Sequence, residues 1–331
     1  MIRSSVLVAA FALAACAPSS ATAPLAEQWR AVEVTATPVN FGAEQVGRLR
    51  FRGGLDLRGD DAAFGGLSGL EVLDDGRLIA ISDNGDWFEG RLALDASGAL
   101  VGVENMRTAM MRDENGDIFP NKRAGDSEGL TQLIDGRFAV SFEQTQTIRI
   151  YNLNRDGPFG VAQLGPVLDR VARLPRNAGL EALATTSEGD LVIGAEGGDR
   201  ATTPLWRASL SEPGPVAPLT GYPTAPGFSL TSLDRTPAGA FVALERFYAP
   251  VIGARARITL FAAEALDTRA ATLEHVQELA MLGPPLALDN FEGIAATLMP
   301  DGTTRIYIVS DNNFSARQRT LLLAFDVVEA N

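Results

Sequence analysis

The segment that decides the fold runs from residue 289 to 313 and reads DNFEGIAATLMPDGTTRIYIVSDNN. In this segment Glu292 opens an apolar run, Pro300-Asp301-Gly302 forms a turn signal, and a second apolar run ends at Asp311. Two apolar runs around such a turn predict a β-hairpin. Because the two strands of a hairpin are antiparallel, we expect Glu292 and Asp311 to lie at the same edge of the sheet.

The same hairpin pattern occurs four more times along the chain. In each copy an opening position and a closing acid are 15 residues apart, around a turn that contains glycine. The four pairs are Ser68 and Asp83, Glu128 and Glu143, Glu181 and Glu196, and Leu230 and Glu245. A self-similar unit of roughly 40–60 residues with several strands is typical of a β-propeller.

We therefore predict an all-β protein, a β-propeller with five visible blade repeats, in which N- and C-terminal strands close the ring. Residues 25–67 and 315–331 together contain about one blade's length of sequence. A sixth blade is the alternative.

The N-terminus predicts export and a lipid anchor. Residues 1–15 combine an early arginine, an apolar run and small residues, as in a signal peptide. Cys16 follows Leu13-Ala14-Ala15 and is the only cysteine, which resembles the lipobox of bacterial lipoproteins. We expect residues 16–27 to be the lipidated cysteine with a flexible tether and residues 28–331 to be one domain. The residue after the cysteine, Ala17, favours the outer over the inner membrane.

The charge balance limits the partners. The chain has 41 acidic and 28 basic side chains, a net charge of −13, and this argues against binding of nucleic acid. We expect a monomer that contacts a membrane only through its lipid and takes a small anionic ester or ligand.

Acidic residues at both ends of the hairpins should converge on one mouth of the channel, because the first strand of each propeller blade lines it. Crowded carboxylates must be protonated, paired with arginine, or neutralised by a metal. Oxygen ligands suit hard cations, above all Ca²⁺. Alternatively, each acid caps its own hairpin or pairs with the neighbouring blade. The residues that we expect to hold Ca²⁺ are Asp83, Glu128, Glu181, Glu292 and Asp311.

Two other motifs are weaker. Residues 125–129, GDSEG, match the nucleophile-elbow pattern, but that pattern requires a strand before it and a helix after it. Any Ser–His catalysis would have to pair Ser127 with His275, the only histidine. Residues 113–117, DENGD, lack the glycine and glutamate positions of an EF-hand and favour a solvated acidic turn.

Several stretches resemble the phytase-like family, whose domain is described as "esterase-like activity of phytase". They are GGLSGLEVLDDGRLIAISDNG (65–85), GDSEGLTQLIDGRFAVSFE (125–143) and the SDNNF motif (310–314). The resemblance covers essentially all of the chain after the leader. It implies a β-propeller and a hydrolytic activity on phosphate or other esters, in which bound cations would attract an anionic substrate.

The main hypothesis is therefore a Ca²⁺-dependent ester hydrolase with its site at the channel mouth. On this hypothesis Glu128, Asp83 and Glu143 are catalytic, and Arg246, Arg319 and Asn312 bind the substrate. One alternative is a non-catalytic propeller that binds a ligand or protein and holds a structural cation. Another is a calcium-dependent lactonase.

Overall fold

The computed structural model describes residues 29–171, 174, 178–197, 201–211, 214–267 and 269–329. The predicted signal peptide, the tether and Cys16 lie outside the described residues. The first strands along the described chain are short, apart from the fourth. They are β1 (Arg30–Ala31), β2 (Val34–Pro38), β3 (Gln45–Val46) and β4 (Leu49–Gly59).

Three blades follow in chain order, each a meander of antiparallel strands. Blade 1 contains β5 (Leu67–Val72), β6 (Arg77–Ser82), β7 (Asp86–Leu94) and β8 (Leu100–Met110), with β1 added at its outer edge. Blade 2 contains β9 (Ser127–Gln132), β10 (Phe138–Phe142), β11 (Thr147–Tyr151) and β12 (Gln163–Leu164). Blade 3 contains β13 (Leu180–Thr185), β14 (Leu191–Ala195), β15 (Thr202–Ala208) and β16 (Thr220–Pro223).

Two more blades complete the described chain. Blade 4 contains β17 (Ser229–Arg235), β18 (Phe241–Ala249), β19 (Gly253–Phe261) and β20 (Gln277–Leu282). Blade 5 contains β21 (Asn290–Leu298), β22 (Thr304–Asp311) and β23 (Thr320–Val327), followed in the sheet by β4 and β2. Within the described residues the helices are α1 (Lys122–Gly125), α2 (Leu153–Asp156) and two 3₁₀ turns, Gly157–Phe159 and Ala263–Leu266.

The sheets form a ring around a central channel. The first strands of the five blades, β5, β9, β13, β17 and β21, pack side by side, and β21 returns to β5. This confirms the predicted all-β propeller and its five blades. Each repeated hairpin of the sequence is the inner pair of strands of one blade.

The ring is closed by β4, which pairs with β23 over residues 49–57 and 320–327. Strands from the two ends of the chain thus complete one blade, as predicted. The sequence that could have formed a sixth blade is used here, since β2, β3 and β4 join blade 5 in the described part of the chain.

Five apolar clusters fill the spaces between neighbouring blades. Between blades 5 and 1, for example, Leu57 and Leu322 pack with Leu70 and Ala80. Strands that are covered on both faces read as continuous apolar runs, such as Leu191–Ala195. Each fully buried leucine or phenylalanine contributes about 1.5–3 kcal/mol. The blades are therefore fixed relative to one another, and the channel mouth is rigidly framed.

None of the helices among the described residues is long and apolar enough to cross a membrane.

Candidate functional site

A β-bulge recurs at the same place in all five inner strands. The pairing of each inner strand with its neighbour shifts around one residue, and bulges commonly re-aim a side chain. Two of these residues carry hydroxyls that donate to the next blade, Ser68 Oγ to Ser127 O at 2.6 Å and Thr231 Oγ1 to Phe291 O at 3.4 Å. The other three are glutamates. The five bulge residues are Ser68, Glu128, Glu181, Thr231 and Glu292.

The residue after each bulge is small because the inner strands approach closely. A Cβ on Gly129 would lie 2.4 Å from Glu181 O, and one on Gly293 would lie 3.0 Å from Leu70 Cβ. Both distances are too short for a side chain. The repeated pattern of a polar residue, a small residue and leucine or isoleucine is therefore the signature of the inner ring.

The closing positions of the hairpins follow the partner strands at the same mouth. Blade 4 differs from the sequence-based expectation, which placed Glu245 there. Leu230 pairs with Glu245 inside the sheet, the bulge is Thr231, and the residue 15 positions later is Arg246. Glu245 is instead fully buried and accepts hydrogen bonds from Tyr222, Ala225 and Arg257. The five closing residues are Asp83, Glu143, Glu196, Arg246 and Asp311.

One side of the mouth carries three carboxylates, which we call the acid cluster: Asp126, Glu128 and Glu143. One oxygen of each lies within 4.8 Å of the other two. Burial raises the pKa of Glu128 well above its usual value, and the neighbouring Glu181 and Glu292 raise it further. Burial also raises the pKa of Glu143. The folded protein thus opposes full ionisation of these groups unless a cation offsets their charge.

The other side carries what we call the arginine clamp: Arg246 with Glu196, Asn290 and Glu292. Arg246 Nη1 donates to Glu292 Oε1 and to Asn290 Oδ1, both at 2.6 Å, and Nη2 donates to Glu196 Oε1 at 3.1 Å. Asn290 Nδ2 donates to the same Glu292 oxygen at 2.6 Å. Burial raises the pKa of Glu292 to about 8, although Arg246 acts to lower it. One guanidinium therefore ties blades 3, 4 and 5 together.

Lys122 neutralises part of the negative charge of Asp83 and Asp126. Its Nζ donates to Asp83 Oδ2 and lies 3.3 Å from Asp126 Oδ1. Burial raises the pKa of Asp83, and Lys122 lowers it. Burial likewise raises the pKa of Asp311 to about 6, while the hydrogen bond that Asp311 accepts from Asn313 N–H acts to lower it. The mouth is thus only partly compensated by its own cations.

Two predicted substrate-binding residues make internal contacts. Asn312 Oδ1 accepts from Gly66 N at 3.1 Å and from Phe314 N at 3.0 Å. Arg319 Nη2 donates to Leu288 O at 3.2 Å, and its Nε lies 3.6 Å from Asp289 Oδ2. Asn312 and Arg319 both line a cavity of about 460 Å³.

A larger cavity, of about 760 Å³, opens beside the arginine clamp. It is bounded by the clamp residues Glu196, Arg246 and Asn290 and by the loop that joins β22 to β23. Arg317, which was not among the predicted substrate-binding residues, also lines it. This cavity is large enough for a small organic substrate.

The two weaker motifs form no site. Ser127 is fully buried, and its hydroxyl donates to Ser82 O at 2.6 Å, whereas His275 is exposed. In the DENGD turn, Asp113 Oδ1 accepts from the backbone of Asn115 and Asp117, which is an ordinary acidic turn.

The geometry of the acid cluster fits a hard cation. Calcium binds oxygen ligands at about 2.3–2.6 Å, so two ligands of one ion can be at most about 5 Å apart. The three carboxylate oxygens meet this limit. Asp126 was missing from the ligands predicted from the sequence. Its position in GDSEG, two residues before a bulge glutamate, is the only signal that could have indicated it.

Comparison with known proteins identifies a family. The family model "Phytase-like: Esterase-like activity of phytase" matches residues 62–314. This match confirms the resemblance seen in the sequence. No curated protein matches the chain significantly.

Solved structures resemble the chain only distantly. A provisionally assigned gluconolactonase has 14% identity and a TM-score of 0.46, covering 92% of this chain and 100% of that one. A gluconolactonase from Xanthomonas campestris has 10% identity and a TM-score of 0.41, covering 92% and 99%. The β-propeller domain of Cps50 (Swd1) from Myceliophteria thermophila has 11% identity and a TM-score of 0.41, covering 90% and 100%. None of these similarities carries an argument about activity.

Proposed function

The chain belongs to the phytase-like family, and on that premise we propose that it is a hydrolase of a phosphoester or other ester. The reaction would take place at the channel mouth and depend on a cation of the Ca²⁺ type. The observation that carries this proposal is the acid cluster, in which three carboxylates from blade 2 and its entry loop meet within ion-binding distance of one another.

In this proposal Asp126, Glu128 and Glu143 hold the cation. When bound, the ion supplies Lewis-acid polarisation of the ester oxygen. Its charge would also favour the ionised forms of Glu128 and Glu143, whose pKa values burial raises. The mouth of a chain with a net charge of −13 would then accept an anionic substrate.

Glu181 is the residue that we propose as the proton carrier. Its acidic neighbours are Glu143 on the side of the acid cluster and Glu196 and Glu292 in the arginine clamp. Burial raises its pKa well above the usual value, so Glu181 can hold a proton where an ordinary glutamate would have lost it. The clamp would fix the neighbouring side chains, because both Nη nitrogens of Arg246 donate to protein acceptors.

Chelator treatment of the whole chain, followed by addition of Ca²⁺, tests the proposal. We expect Ca²⁺ to raise the melting temperature and to restore hydrolysis of p-nitrophenyl phosphate, p-nitrophenyl acetate or a lactone. Glu128→Gln should remove both effects, and Glu188→Gln, on an exposed turn, should remove neither.

A non-catalytic propeller with a structural cation is the second candidate. The arginine clamp favours it, because half of the mouth is neutralised by the protein's own hydrogen bonds. Stabilisation by Ca²⁺ without hydrolysis of any of the three esters would favour this candidate. No response to Ca²⁺ would contradict both.

We also propose that the protein is exported and anchored by a lipid on Cys16, with the outer membrane favoured. The support is the lipobox-like sequence before the only cysteine. Metabolic labelling with palmitate should mark the wild type, and Cys16→Ala should abolish the label. Labelling of both proteins would place the lipid elsewhere.

A further inference from the structure

The cavity beside the arginine clamp is lined by one arginine that has no carboxylate partner among the described residues. Its lining includes two acids, Glu196 and Asp289, and each is already matched with an arginine. Glu196 accepts from Arg246, and Asp289 accepts from the backbone N–H of Arg319, whose Nε lies 3.6 Å away. Arg317 also lines the cavity, and within the part of the chain that the structure describes no acid lies within 4 Å of its guanidinium.

The backbone of the β22–β23 loop places Arg317 at this cavity. Asn313 and Phe314 both have positive φ angles, of 48° and 49°, which bulky residues such as phenylalanine rarely adopt. The side chains of Asp311 and Asn312 stabilise this conformation by accepting from the backbone N–H groups of Asn313 and Phe314. Such local strain persists only where the surroundings fix it. The loop therefore holds Arg317 and Asn313 against the same cavity.

The chemistry of the lining suits an anion that also accepts hydrogen bonds. A guanidinium that has no carboxylate partner binds a phosphate or carboxylate through two parallel hydrogen bonds. The amides of Asn313 and Gln318 and the hydroxyl of Ser315 add neutral donors around it. The two other arginines of this region, Arg246 and Arg319, are held by protein acceptors.

We infer that this cavity binds a negatively charged group of the substrate and that Arg317 is the residue that selects for it. The inference rests on the proposed function, since it defines the substrate class as anionic esters. It also assigns to Arg317 the role that the sequence had suggested for Arg319.

The test combines a binding measurement with hydrolysis. Titration calorimetry with inorganic phosphate, in dilute Ca²⁺, would compare the wild type with Arg317→Gln, Arg317→Lys, Arg319→Gln and Arg58→Gln. Arg58 is a largely exposed arginine outside this cavity and serves as the control. We expect Arg317→Gln to weaken phosphate binding by roughly tenfold or more and Arg317→Lys to recover part of the loss. Arg319→Gln should weaken binding clearly less than Arg317→Gln, since it acts only through Asp289, and Arg58→Gln should stay within about twofold.

Hydrolysis of matched esters gives the second measurement. p-Nitrophenyl hemisuccinate is anionic and p-nitrophenyl butyrate is neutral, with the same leaving group. Arg317→Gln should raise KM for the anionic ester with little change in kcat, and should leave the neutral ester unaffected. The inference is wrong if the wild type does not bind phosphate, if Arg317→Gln binds it normally, if Arg319→Gln loses as much, or if both esters suffer equally.

The two proposals fail in distinguishable ways. If phosphate binding depends on Arg317 but no ester is cleaved, the proposed function is wrong and the anion site stands. If esters are cleaved in a Ca²⁺-dependent manner and Arg317→Gln changes nothing, the proposed function stands and the anion site is wrong.

Discussion

The acid cluster and the arginine clamp occupy equivalent positions of the blade repeat, but their negative charge is balanced in different ways. In blade 2, the bulge residue Glu128 and the closing residue Glu143 are both acids, and Asp126 adds a third carboxylate. In blade 4 the corresponding residues are Thr231 and Arg246. Within the described residues, only Asp126 of the acid cluster has a cation of the protein beside it, Lys122 at 3.3 Å, whereas in the clamp Arg246 donates to both glutamates.

This difference shows how a symmetric scaffold acquires a directional site. If every repeat had an acid at its closing position, five negative charges would surround the channel mouth. A single exchange of acid for arginine lets Glu196 and Glu292 be satisfied by hydrogen bonds. The uncompensated charge is then concentrated on the side of blade 2.

The largest effect should come from removing the cation of the clamp. Arg246→Leu leaves Glu196 and Glu292 at the mouth without their cation, although Asn290 Nδ2 can still donate to Glu292. Breaking such a pair typically costs about 3 kcal/mol or more. We expect a loss of this size in the free energy of unfolding, measured by denaturant titration.

A double variant checks the cause of that loss. Adding Glu292→Gln to Arg246→Leu should recover at least about 1 kcal/mol, because one uncompensated charge disappears. A cost below about 1 kcal/mol for Arg246→Leu alone would mean that the clamp contributes little and that the two sides of the mouth are equivalent.

The second effect separates the two sides by their response to calcium. Asp126→Asn removes a ligand of the acid cluster and should weaken Ca²⁺ binding by roughly tenfold or more. Glu292→Gln, in the clamp, should change it by no more than about threefold. Calorimetric titration of metal-stripped protein measures both. Equal losses would place the ion in the centre of the ring, as the sequence alone had suggested.

A smaller effect tests whether the position of Glu143 matters. A Cβ on Gly179 would lie 1.9 Å from Glu143 Cγ, so Gly179→Ala should push this flexible side chain away from the acid cluster. We expect Ca²⁺ affinity to fall several-fold, together with some loss of stability, because the added Cβ would also meet Glu143 Cβ at 2.7 Å and the backbone Cα at 3.0 Å. Gly102→Ala is the control, since its Cβ would meet Ala93 Cβ at an ordinary 3.4 Å. Unchanged affinity in Gly179→Ala would remove Glu143 from the ligand set.

The smallest effect is a dependence of stability on pH. Burial raises the pKa of Glu292 to about 8 and that of Asp311 to about 6, so between about pH 4 and 8 the folded state binds more protons than the unfolded state. The stability of metal-free protein should therefore fall as the pH rises through this range, by a few degrees in melting temperature. Ca²⁺ should reduce the fall without abolishing it, because Glu292 lies outside the acid cluster. A melting temperature that rises from pH 5 to 8 in metal-free protein would contradict these shifts.

The fold could be predicted from the sequence because it is local and repeated. Each hairpin carries its own turn, its apolar strands and a small residue where the inner strands meet. Blade 4 was misaligned by one residue because its inner strand has a threonine where blades 2, 3 and 5 have glutamate, and Glu245 resembled a closing acid. Closure by strands from both ends was predicted with a sixth blade as the alternative, since pairing between distant strands leaves no local pattern that identifies the partners.

Less of the candidate site than of the fold could be predicted from the sequence. The acids of the mouth were identified as a group, but their division into an acid cluster and a clamp depends on which side chains meet across neighbouring blades. The side chains that meet across blades are about 50 positions apart, and the repeated pattern does not indicate which of them are in contact. Arg317 and Arg319 differ by only two positions, and the contact of Arg319 with Asp289 is what separates their roles.

The pairing of β4 with β23 has a consequence for how the chain is made. Strand β4 is synthesised before the meanders of all four other blades, and its partner, residues 320–327, after all of them. The edge of β4 that faces β23 therefore stays open until that strand has been made. Loss of β23 would uncover both β4 and β22 at once. A premature stop just before Thr320 should thus yield an unclosed, aggregation-prone ring and not a slightly shortened protein.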